Sequence, residues 1–542
     1  GINLMVLNEN ILSYKKKIGE DHNFSFMAGF SYQYDQMEYN GGYAMNSPSD
    51  KIYYAPSGLP PYGVQDDHGT TNIIMFKSYQ SDMQEKSLVS YFGRLEYNFR
   101  EKYLLSIAFR RDGSSTFGAK HRWGTFPSVA VGWSFSEESF IKDNLGWLSF
   151  GKIRASWGRS GMHFSYPYLA LGIVENGPNY EGNGTLTPNF YEGLYNEDLS
   201  WENTDQYDIG LDMDFLNYRL GIVLDYYYRY TDDLLMLVPL SSPNMYSRQW
   251  RNAAAISNEG VELLVKCDVI SKPNLFWRVS VNWAKNWNRF RKSYSGFDES
   301  GWIIGKPLNG VYAMLTDGYV NYQDELPIEY NNSEGWRSYT HAYNASLYYK
   351  PGDLKYIDVN GDGLANSDDA VYCGSALPIC SGGLVSEFRW KNFDLSLSMA
   401  YQLGRHIVNG LPFKYLSLGI DPFVMDIGHT KFWEKPGDDD AEYPSWESAM
   451  NSYHFNSGVD RYVEKVNWLK LKTLTIGYSL PEKWMKKMGI KECRIFASGE
   501  NLFTITNYSG LDPETVNITT GNDQGTNYPL ARKLTLGLTL KF

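Results

Sequence analysis

LARKLTLGLTLKF, residues 530–542, is the stretch on which the reading of this chain turns. Leu534, Leu536, Leu538, Leu540 and Phe542 alternate without a break against Lys533, Thr535, Gly537, Thr539 and Lys541. A period of two sends successive side chains to opposite faces of a strand, so one face here is wholly apolar and the other wet. Such a strand suits a bilayer, with its apolar side to hydrocarbon and its polar side to a lumen.

Composition points the same way. The 542 residues include 43 Tyr, 27 Phe, 16 Trp and 50 Gly, while the mean hydropathy is −0.42. A transmembrane barrel has this balance because only alternate residues face lipid and aromatic girdles mark both interfaces. No run approaches the roughly 18 apolar residues that a membrane helix needs, so a membrane crossing would have to be made by strands. A net charge of −12 argues against nucleic acid as a partner. Four cysteines in so long a chain are no disulfide scaffold. Cys373 and Cys380 are near enough to bridge across a hairpin, with two single thiols as the alternative; Cys267 and Cys493 are expected singly in strands. Gly1-Ile2-Asn3-Leu4 lacks the charged and apolar regions of a signal peptide.

Working back from the terminus, fifteen segments read as strands, and their connections sort by length. Residues 86–99 set Val89, Tyr91, Leu95 and Tyr97 against Ser90, Arg94, Glu96 and Asn98, and residues 218–230 and 393–402 repeat the pattern. Alternate connections are tight: Gly19–His22, Arg100–Lys102, Leu216–Tyr218, Ser271–Asn274 and Trp390–Asn392. Phe135–Trp147 and Pro481–Lys491 are a little longer, each able to hold a short helical turn. Between them lie long connections at about 40–85, 114–123, 160–199, 231–252, 290–371, 406–459 and 506–526. Tight periplasmic turns and extended extracellular loops give a bacterial barrel this rhythm. The expected fold is therefore all-β, a transmembrane antiparallel β-barrel. Single-chain bacterial barrels close with an even number of strands, so an odd count predicts further strands outside this stretch. A miscount by one is the alternative.

The residues also resemble a family. Ser90-Tyr91-Phe92-Gly93-Arg94, Arg110-Arg111-Asp112-Gly113-Ser114-Ser115 and Arg122-Trp123-Gly124-Thr125-Phe126-Pro127-Ser128 look like paired strands of the SusC/RagA-type TonB-dependent transporters. Lys152-Ile153-Arg154-Ala155-Ser156-Trp157-Gly158 and Asn258-Glu259-Gly260-Val261-Glu262-Leu263 continue the match, as do Trp468-Leu469-Lys470-Leu471, Glu500-Asn501-Leu502-Phe503-Thr504 and Tyr508-Ser509-Gly510-Leu511-Asp512-Pro513-Glu514. The resemblance implies that residues 1–542 are the C-terminal part of a barrel of about twenty-two strands, with the plug outside this sequence. It implies an outer-membrane importer of oligosaccharides, or of peptides in some members. Its implied partners are a SusD-like surface lipoprotein, TonB (through the missing N-terminal part), the remaining strands and plug, and outer-membrane lipid.

One segment carries metal chemistry. Asp358, Asn360 and Asp362 stand at positions 1, 3 and 5 of a twelve-residue calcium loop, Gly363 at its sharp turn, Leu364 at the carbonyl position and Asp369 at position 12. Calcium wants six to eight oxygens, and alternate positions on a turning loop point theirs inward. Asp in place of Glu at the last position shortens the reach. The segment would staple the 290–371 loop; a polar loop without an ion is the alternative. SusC-like proteins often carry a similar segment here.

No catalytic set stands out. His22, His121 and His406 show no metal spacing, and no nucleophile motif lies between a strand and a helix. Asp438, Asp439 and Asp440 read as a solvated run. Loop aromatics (Tyr53, Tyr54, Tyr62, Tyr180, Trp250, Trp302, Trp336, Trp433 and Trp446) either stack on sugars or pack loops together, and no ligand-contacting residue can be assigned. Thr535, Gly537, Leu540 and Phe542 fit the polar-x-Gly-x-x-apolar-x-aromatic signal read by the barrel-assembly machinery; an ordinary closing strand is the alternative. The rival functions are a secreted calcium-binding, carbohydrate-active β-protein such as a hydrolase, and a passive porin.

Overall fold

Alternating sequence becomes strand wherever each face can meet one kind of surroundings, and long strands dominate the computed structural model of this chain. The structure describes residues 1–45, 62–65, 71–163, 168, 170, 174–180, 183–188, 194–241, 246–299, 301–322, 328–329, 337–338, 340–341, 344–348, 350–361, 367–412, 431–449 and 458–542. Two units divide it. The first holds Gly1–Ser134, Arg154–Asp208 and Arg229–Ile256; the second holds Phe135–Ile153, Ile209–Tyr228 and Ser257–Phe542.

The first unit contains β1 (Ile2–Ile18), β2 (His22–Met45), β3 (Thr71–Phe99), β4 (Tyr103–Ser114) and β5 (Trp123–Trp133). Each pairs antiparallel with the next, in registers such as Ile18↔His22, His22↔Phe99, Phe99↔Tyr103 and Tyr103↔Trp133. One face is a row of exposed apolar side chains: Tyr91, Leu95, Ile107, Phe109 and Val131. The other carries Ser90, Arg94, Ser106, Asp112 and Ser128. Phe126 of β5 forms a core with Phe117, Leu199 and Trp201, in which Trp201 Nε1 donates to the Arg122 carbonyl at 3.1 Å.

Four strands contribute residues to both units: β6 (Leu148–Met162), β7 (Glu202–Phe215), β8 (Leu220–Pro239) and β9 (Arg248–Lys272). The second unit alone holds β10 (Leu275–Lys292), β11 (Cys380–Trp390), β12 (Phe393–Asn409), β13 (Val463–Ser479), β14 (Glu492–Thr506) and β15 (Lys533–Lys541). These too pair in sequence order and antiparallel. Short helices α1 (Ser139–Lys142) and α2 (Glu482–Met488) occupy the two longer of the tight connections, as expected. Leu534, Leu536, Leu538, Leu540 and Phe542 are all exposed, between 41% and 86%. That excludes a compact water-soluble core for the terminal strand.

Tight turns take strained backbone. Arg100 and Glu101 have φ of 54° and 57°, and Leu216, Asn217 and Tyr218 have 54°, 58° and 62°. Consecutive left-handed residues match the twist of a two-residue hairpin. The Asn98 side chain helps by accepting the Glu101 N–H at 2.8 Å.

Several long connections are shorter than the sequence predicts. In place of a loop over 40–85, β2 continues to Met45 and β3 begins at Thr71; in place of 231–252, β8 runs to Pro239 and β9 starts at Arg248. The β3 extension has no apolar row at Ser81-Asp82-Met83-Gln84 and so reads as loop, whereas in the β8 extension Leu234-Leu235-Met236-Leu237-Val238 is a continuous apolar run that lacks the period of two, with Val238 2% exposed. The region 290–371 is built from paired short strands, Gly310–Ala313 with Val371–Ser375 and Thr316–Tyr319 with Leu354–Tyr356. The strand expected over 372–390 breaks in two, at Ser375 and Cys380. All four cysteines are free, so Cys373 and Cys380 are unbridged.

Candidate functional site

The polar face of the first unit holds an open cleft of about 510 Å³, lined by Arg94, Ser106, Ser128, Ser156, Arg159 and Gln206. Its floor is small because Ala108 lies opposite Ser128 and Ser106 opposite Ala130 across β4 and β5. Its rim is charged. Arg159 grips Asp205 with both ends of its guanidinium at 2.9 and 2.7 Å, and Arg94 meets Glu96 at 3.0 Å. Nearby, Arg110 reaches Asp112 at 2.8 Å and Ser90 at 3.0 Å. The surface is suited to polar contact and carries no nucleophile beside a base.

In the second unit, two buried cations fasten the segment after β14. Arg405 on β12 is 1% exposed, and its guanidinium donates to four carbonyls: Ala376 (2.9 Å), Pro513 (3.1 Å), Val516 (3.0 Å) and Asn517 (2.7 Å). Lys470 on β13, also 1% exposed, lies 3.0 Å from Asp512 and 2.7 Å from Glu514, which Lys472 approaches at 2.6 Å. Burial would raise the Glu514 carboxyl, but the hydrogen bonds from Lys470 and Lys472 outweigh it and hold the group below its ordinary value. Tyr508 adds a 2.5 Å bond to Asp523 and packs with Ile407, Val466, Trp468 and Val516. Residues 508–523 are therefore tied down. Sequence reasoning missed this network: Lys470 sits at a polar position of an ordinary alternating strand, and nothing local announces that Asp512 will meet it.

The connections of the second unit also build a core of their own from Met314, Tyr319, Val320, Leu354, Trp433, Val459 and Tyr462. Tyr319 donates to the Ala441 carbonyl at 3.0 Å, and burial foremost pushes its phenol up to about 12. Packing thus claims Trp433, which is 8% exposed and donates to Asn321 at 3.2 Å. Trp250 packs on the first unit's core. Trp302 and Trp446 remain exposed, against Phe290 and Phe432. Tyr53, Tyr54 and Trp336 lie outside the described residues, as do the side chains of Tyr62 and Tyr180. The Asp438–Asp440 run is a solvated turn: Asp438 accepts the N–H groups of Glu434 and Lys435 at 3.0 Å, and Asp440 pairs with Lys431 at 2.9 Å. His22 meets Tyr97 and His121 meets Asp198.

Both ends of the acidic loop come together. Asp369, 1% exposed, accepts the N–H groups of Val359 at 2.8 Å and Asn360 at 3.1 Å, while Asp358 accepts that of Gly361 at 2.7 Å. This places Asp358, Asn360 and Asp369 in one small oxygen-rich loop, which is the donor chemistry a hard cation requires. Asp362, Gly363 and Leu364 lie outside the described residues. Among the described residues, no group of three acidic, His or Cys side chains is placed to hold a metal. On the last strand, Thr535 lies opposite Ser498, Gly537 opposite Phe496 and Leu540 opposite Cys493; Phe542 is 74% exposed.

Known proteins resemble the chain over its whole length. The model of the family described as TonB dependent receptor-like, beta-barrel matches residues 7–421. TonB-dependent receptor P3 of Formosa agariphila is 30% identical over 554 residues, which is 99% of this chain and 52% of that protein. TonB-dependent receptor SusC of Bacteroides thetaiotaomicron is 30% identical over 473 residues, 84% of this chain and 44% of that one. Among solved structures, that of the RagAB peptide transporter superposes with a TM-score of 0.75 at 22% identity, covering 100% of this chain and 56% of that chain. This chain spans about half the length of the curated relatives it matches.

Proposed function

The chain belongs to the TonB-dependent receptor-like β-barrel family, and from that premise we propose that it supplies much of the wall and outer connections of an importer of oligosaccharides or peptides. The protein is an outer-membrane β-barrel protein of the SusC/RagA type. The observation that carries the functional reading is the two-faced wall. Exposed Ile107, Phe109 and Val131 make one face fit for lipid, while Arg94, Ser106 and Ser128 make the other fit for water and a polar cargo. A secreted hydrolase would have no use for such a face in water.

Import in this reading draws its energy through TonB, and a SusD-like lipoprotein sits over the outer connections. The remaining strands and a plug come from the rest of the same protein. No bond of the cargo is broken by this chain; residues 508–523, fixed by Arg405 and Lys470, would shape the passage. Calcium held by Asp358, Asn360, Asp362, the Leu364 carbonyl and Asp369 would supply charge that draws the loop's oxygens together. Thr535, Gly537, Leu540 and Phe542 would direct assembly into the membrane.

Deleting the gene in its host tests the reading, with uptake of fluorescent oligosaccharides and oligopeptides as the measurement. Uptake of one cargo class should vanish, and should vanish equally when TonB is removed; a lipoprotein should co-purify. Unchanged uptake of every glycan and peptide that the host uses would overturn the proposal.

A further inference from the structure

The corner between β13 and β14 is more elaborate than a tight turn requires. α2 ends on Gly489 at φ 70°, whose N–H returns to the Met485 carbonyl. The corner is tied into its neighbours: Leu480 N–H donates to the Cys493 carbonyl at 2.9 Å, Lys491 N–H to that of Lys541 at 2.7 Å, and Ser479 N–H to that of Asn392 at 2.9 Å. It is a fixed element at the short-turn end of the second unit.

Its position follows from one anomaly. Cys493 shares its row on β14 with Ile495, and that row is the lipid-facing one, continuing across to Leu538 and Leu540. Ile495 is 50% exposed and Leu538 59%, yet Cys493 is only 6% exposed. Something covers the row at its end. α2 packs against β14, and its Met485 is 1% exposed. The helix therefore lies over the outer face of the wall, not across the polar one. Beside Met485, Trp484 is 57% exposed, and Lys483 and Lys491 are exposed as well.

Two other connections of this unit follow the same recipe. α1 presents Phe140 (63% exposed) beside Lys142, with Trp147 (54% exposed) close behind. At the β11–β12 turn, Lys391 places its ammonium 5.6 Å from the ring centre of Trp390, which is 49% exposed. An exposed indole beside an exposed ammonium suits the boundary between acyl chains and headgroups, where rings sit at headgroup depth and lysine meets phosphate.

We propose that the β13–β14 corner is a lipid-binding element, in which Trp484 enters the headgroup boundary and Lys483 and Lys491 bind the phosphates of anionic phospholipids. The inference rests on the outer-membrane reading and deepens it by naming a partner for a surface that the import mechanism does not use.

The test uses the full-length protein in nanodiscs of phosphatidylglycerol or phosphatidylcholine. Comparing wild type with Trp484→Phe isolates the emission of one indole. That emission should be quenched by phospholipid brominated near its carbonyls and spared by acrylamide. Native mass spectrometry should show phosphatidylglycerol retained over phosphatidylcholine, with the double variant Lys483→Gln/Lys491→Gln retaining it roughly tenfold less. Acrylamide quenching without bromolipid quenching would overturn the proposal. Undiminished phosphatidylglycerol retention in the double variant would overturn it as well. Ile495→Trp separates the two readings: if that indole escapes bromolipid the wall itself is misread, whereas quenching there but not at Trp484 defeats this inference alone. Heat-modifiable migration on gels confirms that each variant is folded.

Discussion

Phe496 lays its ring over Gly537, its cross-strand partner on the final strand. A side chain at 537 would occupy the space that the ring now fills, so the glycine has a packing reason independent of any assembly signal. Gly537→Val should displace Phe496 and cost about 1–3 kcal/mol as overpacking. Combining it with Phe496→Ala should restore most of the loss in urea unfolding monitored by gel migration. A double variant that is stable once folded in vitro but fails to reach the outer membrane in cells would show that Gly537 is also read during assembly.

Arg405 makes a second prediction. Replacing it with Leu takes the donor from the buried carbonyls of Ala376, Pro513 and Val516, each orphaned group costing about 1–3 kcal/mol, while the Asn517 carbonyl keeps the Gly521 N–H at 2.9 Å. Arg405→Lys keeps the charge but loses the fork, and should recover only part. Limited proteolysis should cut within 508–523 in the Leu variant well before the Lys variant, and in both before wild type.

The same segment should loosen in acid. Glu514 titrates below its ordinary 4.5 in the fold, so the fold favours its ionised form. Its contribution is complete above the unfolded value and is lost as pH falls through the lower folded one. Melting temperature measured downward from neutral pH should drop more steeply below about pH 4.5 in wild type than in Glu514→Gln, which starts lower and stays flatter.

Calcium should raise the melting temperature of wild-type protein, by an amount equivalent to about 2.7 kcal/mol at a hundredfold excess over Kd. Chelation should reverse it. Asp358→Ala should abolish the response and the terbium luminescence that reports the site, while Asp369→Ala should also destabilise the ion-free protein, because Asp369 accepts two backbone N–H groups.

On the outer face, Ile107→Arg places a charge where hydrocarbon is expected and should cost about 2–4 kcal/mol, measured by urea unfolding in lipid vesicles. Ile107→Leu should be near neutral.

The strands were legible wherever lipid imposes a period on them. Leu95 to Phe99 and Leu534 to Phe542 alternate apolar with polar or small residues because one face must be apolar, and the tight turns at Arg100, Leu216 and Lys391 fell where that period lapses. Where β2 and β3 run through Asn40, Gly41, Ser81 and Asp82, no apolar period is imposed, and the sequence reads as loop although backbone pairing continues to Met45↔Phe76. The acidic loop was visible because its residues are close in sequence. Arg405 with Pro513, and Lys470 with Asp512, were not, since their partners are brought together only by the path of the chain.

Tyr319, Leu354, Trp433 and Tyr462 bury one another within the connections and borrow little from the strands below. A cap that carries its own interior can be rewritten residue by residue, or exchanged for another, without disturbing the staves. Divergence among such proteins in what they admit can then accumulate in the cap while the membrane-embedded portion stays under a single, unchanging physical demand.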